Sequence, residues 1–356
     1  MKFSILIPVY YVGQYLEECL QTVFHQTYDN YEVIIVDDGS TDRSGIICDQ
    51  FMQKYPQKCR VIHKKNQGLL AARREGIAAA TGDFCVFVDS DDYVELNLLE
   101  TIENYLKTDE QIDVLLYSFQ YVRNGKVAER YHVVWEDGSK WEGESKKEVY
   151  EKLACTSHIA SIWTKAIRTS ILKEDSTNYE QYFGKDMSED ILQSIYPITA
   201  ARKIMYTDKV LYNYRINDES ISRSFYPATL QKKNTLHVYG EIVSRLSEWG
   251  LNNREINDKL KARWFNDFMY MMSKYYESAQ RKEDRQAIIA FNWKSMLPEN
   301  AYDPENPYEN ENYKKLYVWL QENNLFAISI YFNRKKYYQK FKKWKKVLRA
   351  WGKRKN

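Results

Sequence analysis

The sequence predicts an α/β protein: a mostly parallel, Rossmann-like sheet covered by helices, with a helical region after it. Three observations carry this prediction. Through the first third, short apolar runs alternate with helix-like stretches, the pattern of repeated strand–helix units. The runs are apolar almost throughout, as strands covered on both faces are. Acidic and small polar residues gather where the runs end, which is where open α/β sheets collect their ligands.

The expected strands are Phe3–Ile7, Val33–Val36, Arg60–His63 and Phe84–Val88, rich in Val, Ile and Phe. Helix-like stretches fall near residues 12–26, 43–55 and 69–80. The N-terminal "MKFSILIPVYYVGQYLEE" has a Lys and a short apolar run, but it lacks a small-residue cleavage site, contains Pro8 and turns acidic at once. It reads as a first strand, not a signal peptide. After Asp92 a helix is expected to about Lys107, then a strand at Val114–Val122, then polar, glycine-containing sequence to about Glu144. From about 226 the pattern is helical: "ATLQKKNTLHVYGEIVSRLSEWG", then 254–279 and 283–295, with the loop "LPENAYDPENPYENEN" before the last helices. The expected division is a catalytic domain at 1–225, a helical region at 226–324 and a basic tail at 325–356.

Composition narrows the class. Hydrophobic residues are 44% and charged residues 28% of 356, enough apolar chain for a sizeable core and against a wholly disordered protein. The net charge is +3, but Leu325–Asn356 holds 12 Lys or Arg and no acid, which leaves 40 basic against 49 acidic residues in the rest. Thirty tyrosines suit a sugar ligand or a membrane interface, or simply ordinary packing. Five scattered cysteines form no CxxC, which argues against a zinc site or a disulfide framework. The five histidines show no zinc-ligand spacing. No stretch approaches 18 uninterrupted apolar residues, so no transmembrane helix is expected.

The polar clusters rank themselves by strand. The first strand ends in Pro8-Val9-Tyr10, the second in "VDDGSTD" (Val36–Asp42) and the fourth in "DSDD" (Asp89–Asp92). All three should rim one crevice. The first turn reads "PVYYVG" and lacks the GxGxxG that lets a backbone approach a dinucleotide's pyrophosphate, and Walker A is absent too. The charge of a nucleoside diphosphate must therefore be met another way. Asp89 and Asp91, two apart on a continuing extended backbone, would point to one side. Two such carboxylates repel and raise each other's pKa, and a hard divalent cation resolves the conflict while sharing substrate phosphates. Asp92 begins "DYVE", which has the form of a capping box for the next helix.

Together, "SILIPVYYVGQYLEECLQTVFHQTYDNYEVIIVDDGSTDRS" and "NQGLLAARREGIAAATGDFCVFVDSDD" resemble the family 2 glycosyltransferases with a GT-A fold, with several motifs in family order over the first 110 residues. Weaker similarity continues in "SIWTKAIRTSIL", "SEDILQSIYPITAARKIMYTDKVLYNYR" and "ESISRS", to about residue 225. The resemblance implies that Pro8, Tyr10 and Asp38 line a nucleobase pocket, with Asp38 accepting from uracil. It implies that Arg73 lies near the nucleotide and that Asp89, with Ser90 next to it, lies near the ribose. Asp91, assisted by Asp89, would hold Mn²⁺ or Mg²⁺ on the diphosphate. Glu189 and Asp190 match the family's "ED" pair, with Asp190 as catalytic base. Tyr11 stands where the family has Asn, and so does Arg74; these departures bear on the shape of the donor pocket.

The chemistry agrees. A sugar hydroxyl is a poor nucleophile at neutral pH and needs a positioned carboxylate to take its proton. The departing nucleotide develops charge that a metal and nearby cations stabilise. Carboxylates before a helix are also common for their dipole alone, so Glu189-Asp190 carries a structural alternative. Trp163 and Lys165 suggest an acceptor platform and a phosphate contact, or, for Trp163, core. Arg215, Ser220 and Ser222 sit where a loop could close over the diphosphate.

In the tail, Tyr337, Phe341, Trp344, Leu348 and Trp351 are spaced 4, 3, 4 and 3, one stripe of a helix otherwise filled with Lys and Arg. Such a helix suits an anionic membrane surface, or an acidic body or partner subunit. Nothing else reads as a nucleic-acid module. The expectation is an inverting, metal-dependent enzyme moving a hexose or N-acetylhexosamine from a UDP-sugar to a bacterial surface glycan, with a lipid-linked acceptor. It is expected in the cytoplasm, peripheral on the inner membrane face, and possibly as a homo-oligomer. The alternatives are a glycoprotein or teichoic-acid-type acceptor, or a non-catalytic nucleotide-sugar-binding scaffold.

Overall fold

The computed structural model describes residues 1–334 apart from 131–133, 185–187, 217–234, 280, 292, 323, 325 and 333. The described residues up to 253 form one compact unit and those from 254 onward a second.

The first unit begins with the expected alternation: β1 (Phe3–Val9), α1 (Leu16–Phe24), β2 (Tyr31–Asp37), α2 (Ser44–Lys54), β3 (Cys59–His63), α3 (Leu69–Ala79) and β4 (Phe84–Phe87). β1 is buried along its whole length, as a strand covered on both faces must be. In α1 the buried residues Leu16, Cys19, Leu20, Val23 and Phe24 lie at helical spacing, which lays one face on the sheet. Gly82 permits the close entry into β4, since a Cβ there would meet the Phe3 carbonyl carbon and the Ser4 nitrogen at 2.7 Å. A short β5 (Tyr93–Val94) precedes α4 (Leu98–Leu106) and the long β6 (Ile112–Arg123). The polar stretch to 144 holds two further strands, β7 (Lys126–Arg130) and β8 (Lys140–Glu142). Then come α5 (Lys147–Cys155), β9 (Lys165–Arg168), α6 (Thr169–Glu174), α7 (Glu189–Ala200), β10 (Lys203–Arg215) and α8 (Leu236–Arg245).

The sheet runs β3-β2-β1-β4-β9-β6-β10-β5, with β7 on β6 and β8 on β10. β3, β2, β1 and β4 are mutually parallel, β9 is antiparallel to both its neighbours, and β6 and β10 are parallel. The order reverses at β1, so the crevice beyond the carboxyl ends of β1 and β4 is the topological switch point. Pro8 costs this sheet little. The Leu6 carbonyl accepts from Val88, and Pro8 lies one step further along that edge, past the end of β4.

Helix α8 belongs to the first unit, although its periodicity alone had grouped it with the region after 225. Just beyond it, Trp249 stacks on Tyr150 of α5 at 5.0 Å and donates to the Thr199 hydroxyl at 2.9 Å. Periodicity finds a helix but not the neighbour it covers. All five cysteines are free, and four are buried.

The second unit is helical: α9 (Arg254–Ser278), α10 (Lys282–Ala290) and α11 (Glu311–Gln321). Phe265, Met269, Met272 and Tyr275 of α9 are buried in one cluster with Ile288, Leu316 and Ile328. The loop before α11 is knit, not loose. The Lys314 ammonium donates to the carbonyls of Pro304 and Asn306 at 2.8 and 2.9 Å, and the Asn310 side chain caps α11. Among the described residues no helix is long and apolar enough to cross a membrane. The aromatic-basic stripe from Tyr337 onward lies outside the described residues, as do Ser220 and Ser222.

Candidate active site

The ends of β2, β1 and β4 lie side by side in that order along the edge of the sheet that holds the switch point. At the end of β1, Tyr10 is 46% exposed and Tyr11 adopts a left-handed backbone, φ 52°. Asn takes that conformation cheaply and Tyr does not. The geometry is held by the Tyr11 N–H, which donates to the Ser40 hydroxyl at 3.2 Å, and by a bond between the Tyr11 and Thr41 hydroxyls. Both partners come from the loop after β2, so the unusual residue ties two rims of the crevice together.

At the end of β2 the two aspartates divide their work. Asp37 accepts from the Ser40 N–H at 3.0 Å and from His63 Nδ1 at 2.8 Å. Asp38 is buried and accepts from the N–H groups of Gln67 and Gly68, at 3.0 and 2.8 Å, and from the Lys64 ammonium at 3.0 Å. Gly39 (φ 82°) makes this turn possible, because a Cβ there would lie 2.9 Å from the Asn66 nitrogen. The lone pairs of Asp38 are thus largely taken by the chain's own loop, and accepting from a nucleobase means exchanging one of these donors.

The "DSDD" segment is a turn, not an extended continuation of β4. The strand stops at Phe87, and the Asp92 N–H donates to the Asp89 carbonyl at 3.0 Å. The same-side placement expected from a period of two therefore does not apply. Asp92 does not cap α4 either: that helix starts at Leu98, after Asn97. The Asp92 carboxylate is buried, accepting from the Tyr212 hydroxyl at 2.8 Å and the Arg215 N–H at 2.7 Å. It pins the turn to β10. The Tyr212 hydroxyl also accepts from the Asp89 N–H at 3.1 Å. Ser90 is buried inside the turn.

The carboxylates on either side of Ser90 differ in their partners. Asp89 receives the Arg73 guanidinium at 2.7 Å. Asp91 forms no side-chain ion pair among the described residues, and burial, followed by the charge of Asp89, pushes its carboxyl up to about 6. Arg215 comes near without engaging it: its Nε donates to the Asp91 carbonyl at 2.8 Å while its terminal nitrogen pairs with Glu18 at 2.8 Å.

Arg73, on the buried face of α3, joins this turn to the start of α7. Its side chain is 0% exposed. It pairs with Asp89 at 2.7 Å, with Asp190 at 2.5 Å and, less closely, with Glu189 at 3.8 Å. Burial alone would lower the pKa of Arg73; the carboxylates of Asp89, Asp190 and Glu189 outweigh it and raise it. Conversely, burial and then the charge of Asp190 push Glu189 up to about 8, against the pull of Arg73. Burial also raises Asp190, opposed mainly by Arg73. Asp190 keeps its second carboxylate oxygen without a hydrogen bond among the described residues, so it retains an acceptor. The N-terminal position on α7 favours both charges.

The neighbouring residues have structural roles. Trp163 is buried, stacked on Tyr212 at 4.4 Å and edge-on to Phe119 at 4.7 Å, so it is core and not a platform. Lys165 is buried and bound to the carbonyls of Ile159 and Ser161, which removes it as a surface phosphate contact. Arg74 turns away from the carboxylates, its guanidinium 4.6 Å from the Tyr179 ring centre and 3.8 Å from Asp175. Tyr212 and the Lys64–Gly68 loop are the parts of the site that sequence reasoning missed. No local pattern in "LYNYR" announces that a hydroxyl will span Asp89 and Asp92, since that contact crosses about 120 residues.

Among the described residues no group of three His, Cys, Asp or Glu side chains is arranged to hold a metal ion. A cation at Asp91 would draw most of its oxygens from outside the protein, as Mg²⁺ sites shared with phosphates do. The donor set fits: one half-buried carboxylate without an ion pair among the described residues, beside a second carboxylate half engaged by arginine.

Residues 4–175 match the family model described as glycosyl transferase family 2. The chain is similar to a putative glycosyltransferase, EpsH, of Bacillus subtilis, 28% identical over 284 residues that cover 72% of this chain and 80% of that protein. It is also similar to the glycosyltransferase GlyA of Streptococcus pneumoniae, 32% identical over 230 residues, 62% of this chain but only 32% of GlyA. Its fold is like that of Staphylococcus aureus TarS 1-349, solved in complex with UDP-GlcNAc, with a TM-score of 0.63 at 22% identity over 96% of this chain and 92% of that one.

Proposed function

Since residues 4–175 place the chain in glycosyl transferase family 2, we propose that it transfers a hexose or N-acetylhexosamine from a UDP-sugar to a hydroxyl of a bacterial surface glycan, with inversion at the anomeric carbon. The observation that carries this reading is the asymmetry of the acidic turn. Asp91 is a half-buried carboxylate that forms no ion pair among the described residues, while Asp89 is joined through Arg73 to Asp190. A donor diphosphate and a base are thereby one arginine apart.

Pro8, Tyr10 and the Asp38 loop would border the nucleobase, and Asp89 and Ser90 the ribose. Asp91, with Asp89 beside it, would hold Mn²⁺ or Mg²⁺. When bound, that cation supplies positive charge to the departing UDP. Asp190 takes the acceptor's proton as the acceptor oxygen bonds to the anomeric carbon and the bond from that carbon to the diphosphate breaks. Arg73 holds Asp190 and Asp89 at a fixed separation, so that the base and the leaving group keep their relation. UDP-N-acetylglucosamine is the first donor to try, because a protein of like fold was solved with it. The acceptor reading, a lipid-linked glycan or a teichoic-acid-type polymer, rests on similarity to two Bacillus subtilis proteins named for minor teichoic acid biosynthesis, GgaA and GgaB, and on the basic tail.

The test is a screen of UDP-, GDP- and dTDP-sugars with Mn²⁺ for nucleotide release and transfer, run beside Asp190→Asn. The variant should lose transfer by ~10²–10⁴-fold while still binding UDP. Full turnover by Asp190→Asn would sink the assignment, and donor binding without any turnover would favour the scaffold. Flotation with anionic liposomes, with and without residues 330–356, tests peripheral membrane contact. Equal binding by both forms removes that part of the reading.

A further inference from the structure

Lys165 stands at the start of β9 with its side chain fully buried. Its ammonium donates to the carbonyls of Ile159 at 2.8 Å and Ser161 at 2.5 Å. No carboxylate among the described residues forms an ion pair with it. An ammonium is a costly way to satisfy two carbonyls, since a neutral donor would do so without burying charge. The carboxylate it influences electrostatically is that of Asp190, without direct contact between the two.

The same loop is fastened from the other side. The Ser194 hydroxyl on α7 donates to the Asp190 carbonyl at 2.8 Å and reaches the Ala160 carbonyl at 3.4 Å. Residues 159–161 thus lie between Lys165 and the first turn of the helix that carries Asp190. Four charged groups bear on the Asp190 carboxylate: Arg73 from α3, Asp89 from the end of β4, Glu189 from α7 itself and Lys165 from β9.

We propose that Lys165 is a positioning residue of the transfer reaction, which holds the 159–161 loop against α7 and places a buried positive charge behind the helical turn that carries Asp190. The inference rests on the reading of Asp190 as base. Burial and Asp89 favour the protonated form of Asp190; Arg73 and Lys165 oppose them. With the Lys165 charge removed, Asp190 keeps its proton to higher pH. Burial also brings the Lys165 ammonium down to about 7, against the pull of Asp190. The wild-type protein therefore loses this cation above neutrality, and any variant that lacks it should converge on wild type there.

The experiment measures UDP release from UDP-N-acetylglucosamine with Mn²⁺ from pH 5.5 to 9, for wild type, Lys165→Gln, Lys165→Arg and Asp190→Asn, with UDP binding by calorimetry. Gln retains donors for the carbonyls but carries no charge. Lys165→Gln should bind UDP as wild type does, lose roughly tenfold in rate near pH 6, and show an acid limb moved up by about one pH unit. The two profiles should meet at alkaline pH. A Lys165→Gln profile that superimposes on wild type, or is lowered by one factor at every pH, overturns the inference. Where Lys165→Gln fails to bind UDP, Lys165→Arg decides. A wild-type acid limb in that variant supports the charge role, and a displaced one overturns it. An inactive Asp190→Asn beside an unmoved Lys165→Gln profile removes the Lys165 role alone; an active Asp190→Asn removes the base, and the Lys165 role with it.

Discussion

The two halves of the sheet are built on different terms. β1 to β4 are parallel, and β1, β2 and β3 pair with strands close in sequence, while β4 joins β1 across 81 residues. Their polar residues sit at strand ends and bond to adjacent loops, as Asp38 does to 64–68. β6, β9 and β10 pair across long separations, with β9 antiparallel between two strands of the other sense. Charged and amide side chains are buried inside this half: Asp113 between Arg168 and Arg202, Lys165 on two carbonyls, Asn213 between Gln120 and Glu95. The first half presents ligand-facing groups on a locally determined frame. The second fixes the base and the acidic turn by contacts that exist only after folding.

Arg73 is where this difference can be broken most severely, because it is the buried cation through which the halves share charge. Arg73→Met leaves Asp89, Glu189 and Asp190 without their common partner. Removing one side of a buried pair costs about 3–5 kcal/mol, much of it the uncompensated charge left behind. The orphaned carboxylates can take up protons, and their pKa values rise without the guanidinium. The loss should therefore be largest above neutral pH and shrink on acidification. Urea unfolding of wild type and variant at pH 8 and pH 5.5 measures it. An equal loss at both pH values would show that packing, not charge, joins the halves.

Tyr212 gives the next effect down. Its hydroxyl accepts from the Asp89 N–H and donates to the Asp92 carboxylate, so Tyr212→Phe strands two buried groups and keeps the ring stacked on Trp163. A stability loss of about 1–3 kcal/mol is expected, with UDP binding in the presence of Mn²⁺ weakened because the turn is freed from β10. Wild-type UDP affinity at reduced stability would show that the turn holds its shape from the first half alone.

This contrast also explains what was legible beforehand. β1, β2 and β4 announced themselves because a strand buried on both faces is an almost unbroken apolar run, and the partly exposed edge strand β3 followed from the strand–helix alternation. Pro8, Tyr10, Asp38, Asp89 and Asp91 were located because a strand end is a local feature. β9 and β10 were not marked as strands: Lys165, Asp208, Lys209 and Arg215 interrupt their apolar pattern, and their burial depends on partners far away in sequence. Asp92 was misread for a related reason. "DYVE" fits a capping box locally, but the bonds from Tyr212 and Arg215 claim its carboxylate, and a short strand takes the place of the first helical turn. The bridging of both acidic sites by Arg73 was not legible, because nothing in "AARRE" indicates a contact 117 residues away; the resemblance alone had singled out this arginine.

The smallest expected effect belongs to the ionic link at the outer edge of the first half. His63 places Nδ1 2.8 Å from Asp37 and Nε2 3.1 Å from Asp49, joining the ends of β2 and β3 to α2. Hydrogen bonds donated to Asp49 and then Asp37 raise its pKa. A His raised on folding contributes stability that is fully present below its unfolded value, near 6.5, and lost as pH climbs through the folded value. The His63 side chain is 47% exposed, so solvent screens both pairs. Melting temperature should thus fall only slightly across that window in wild type, and His63→Gln should abolish the slope while leaving UDP release at neutral pH near wild type. Such a result would set a solvent-screened, locally formed link against the Arg73 bridge in one molecule. A large loss of stability in His63→Gln would mean that the first half, too, depends on its polar contacts to hold its shape.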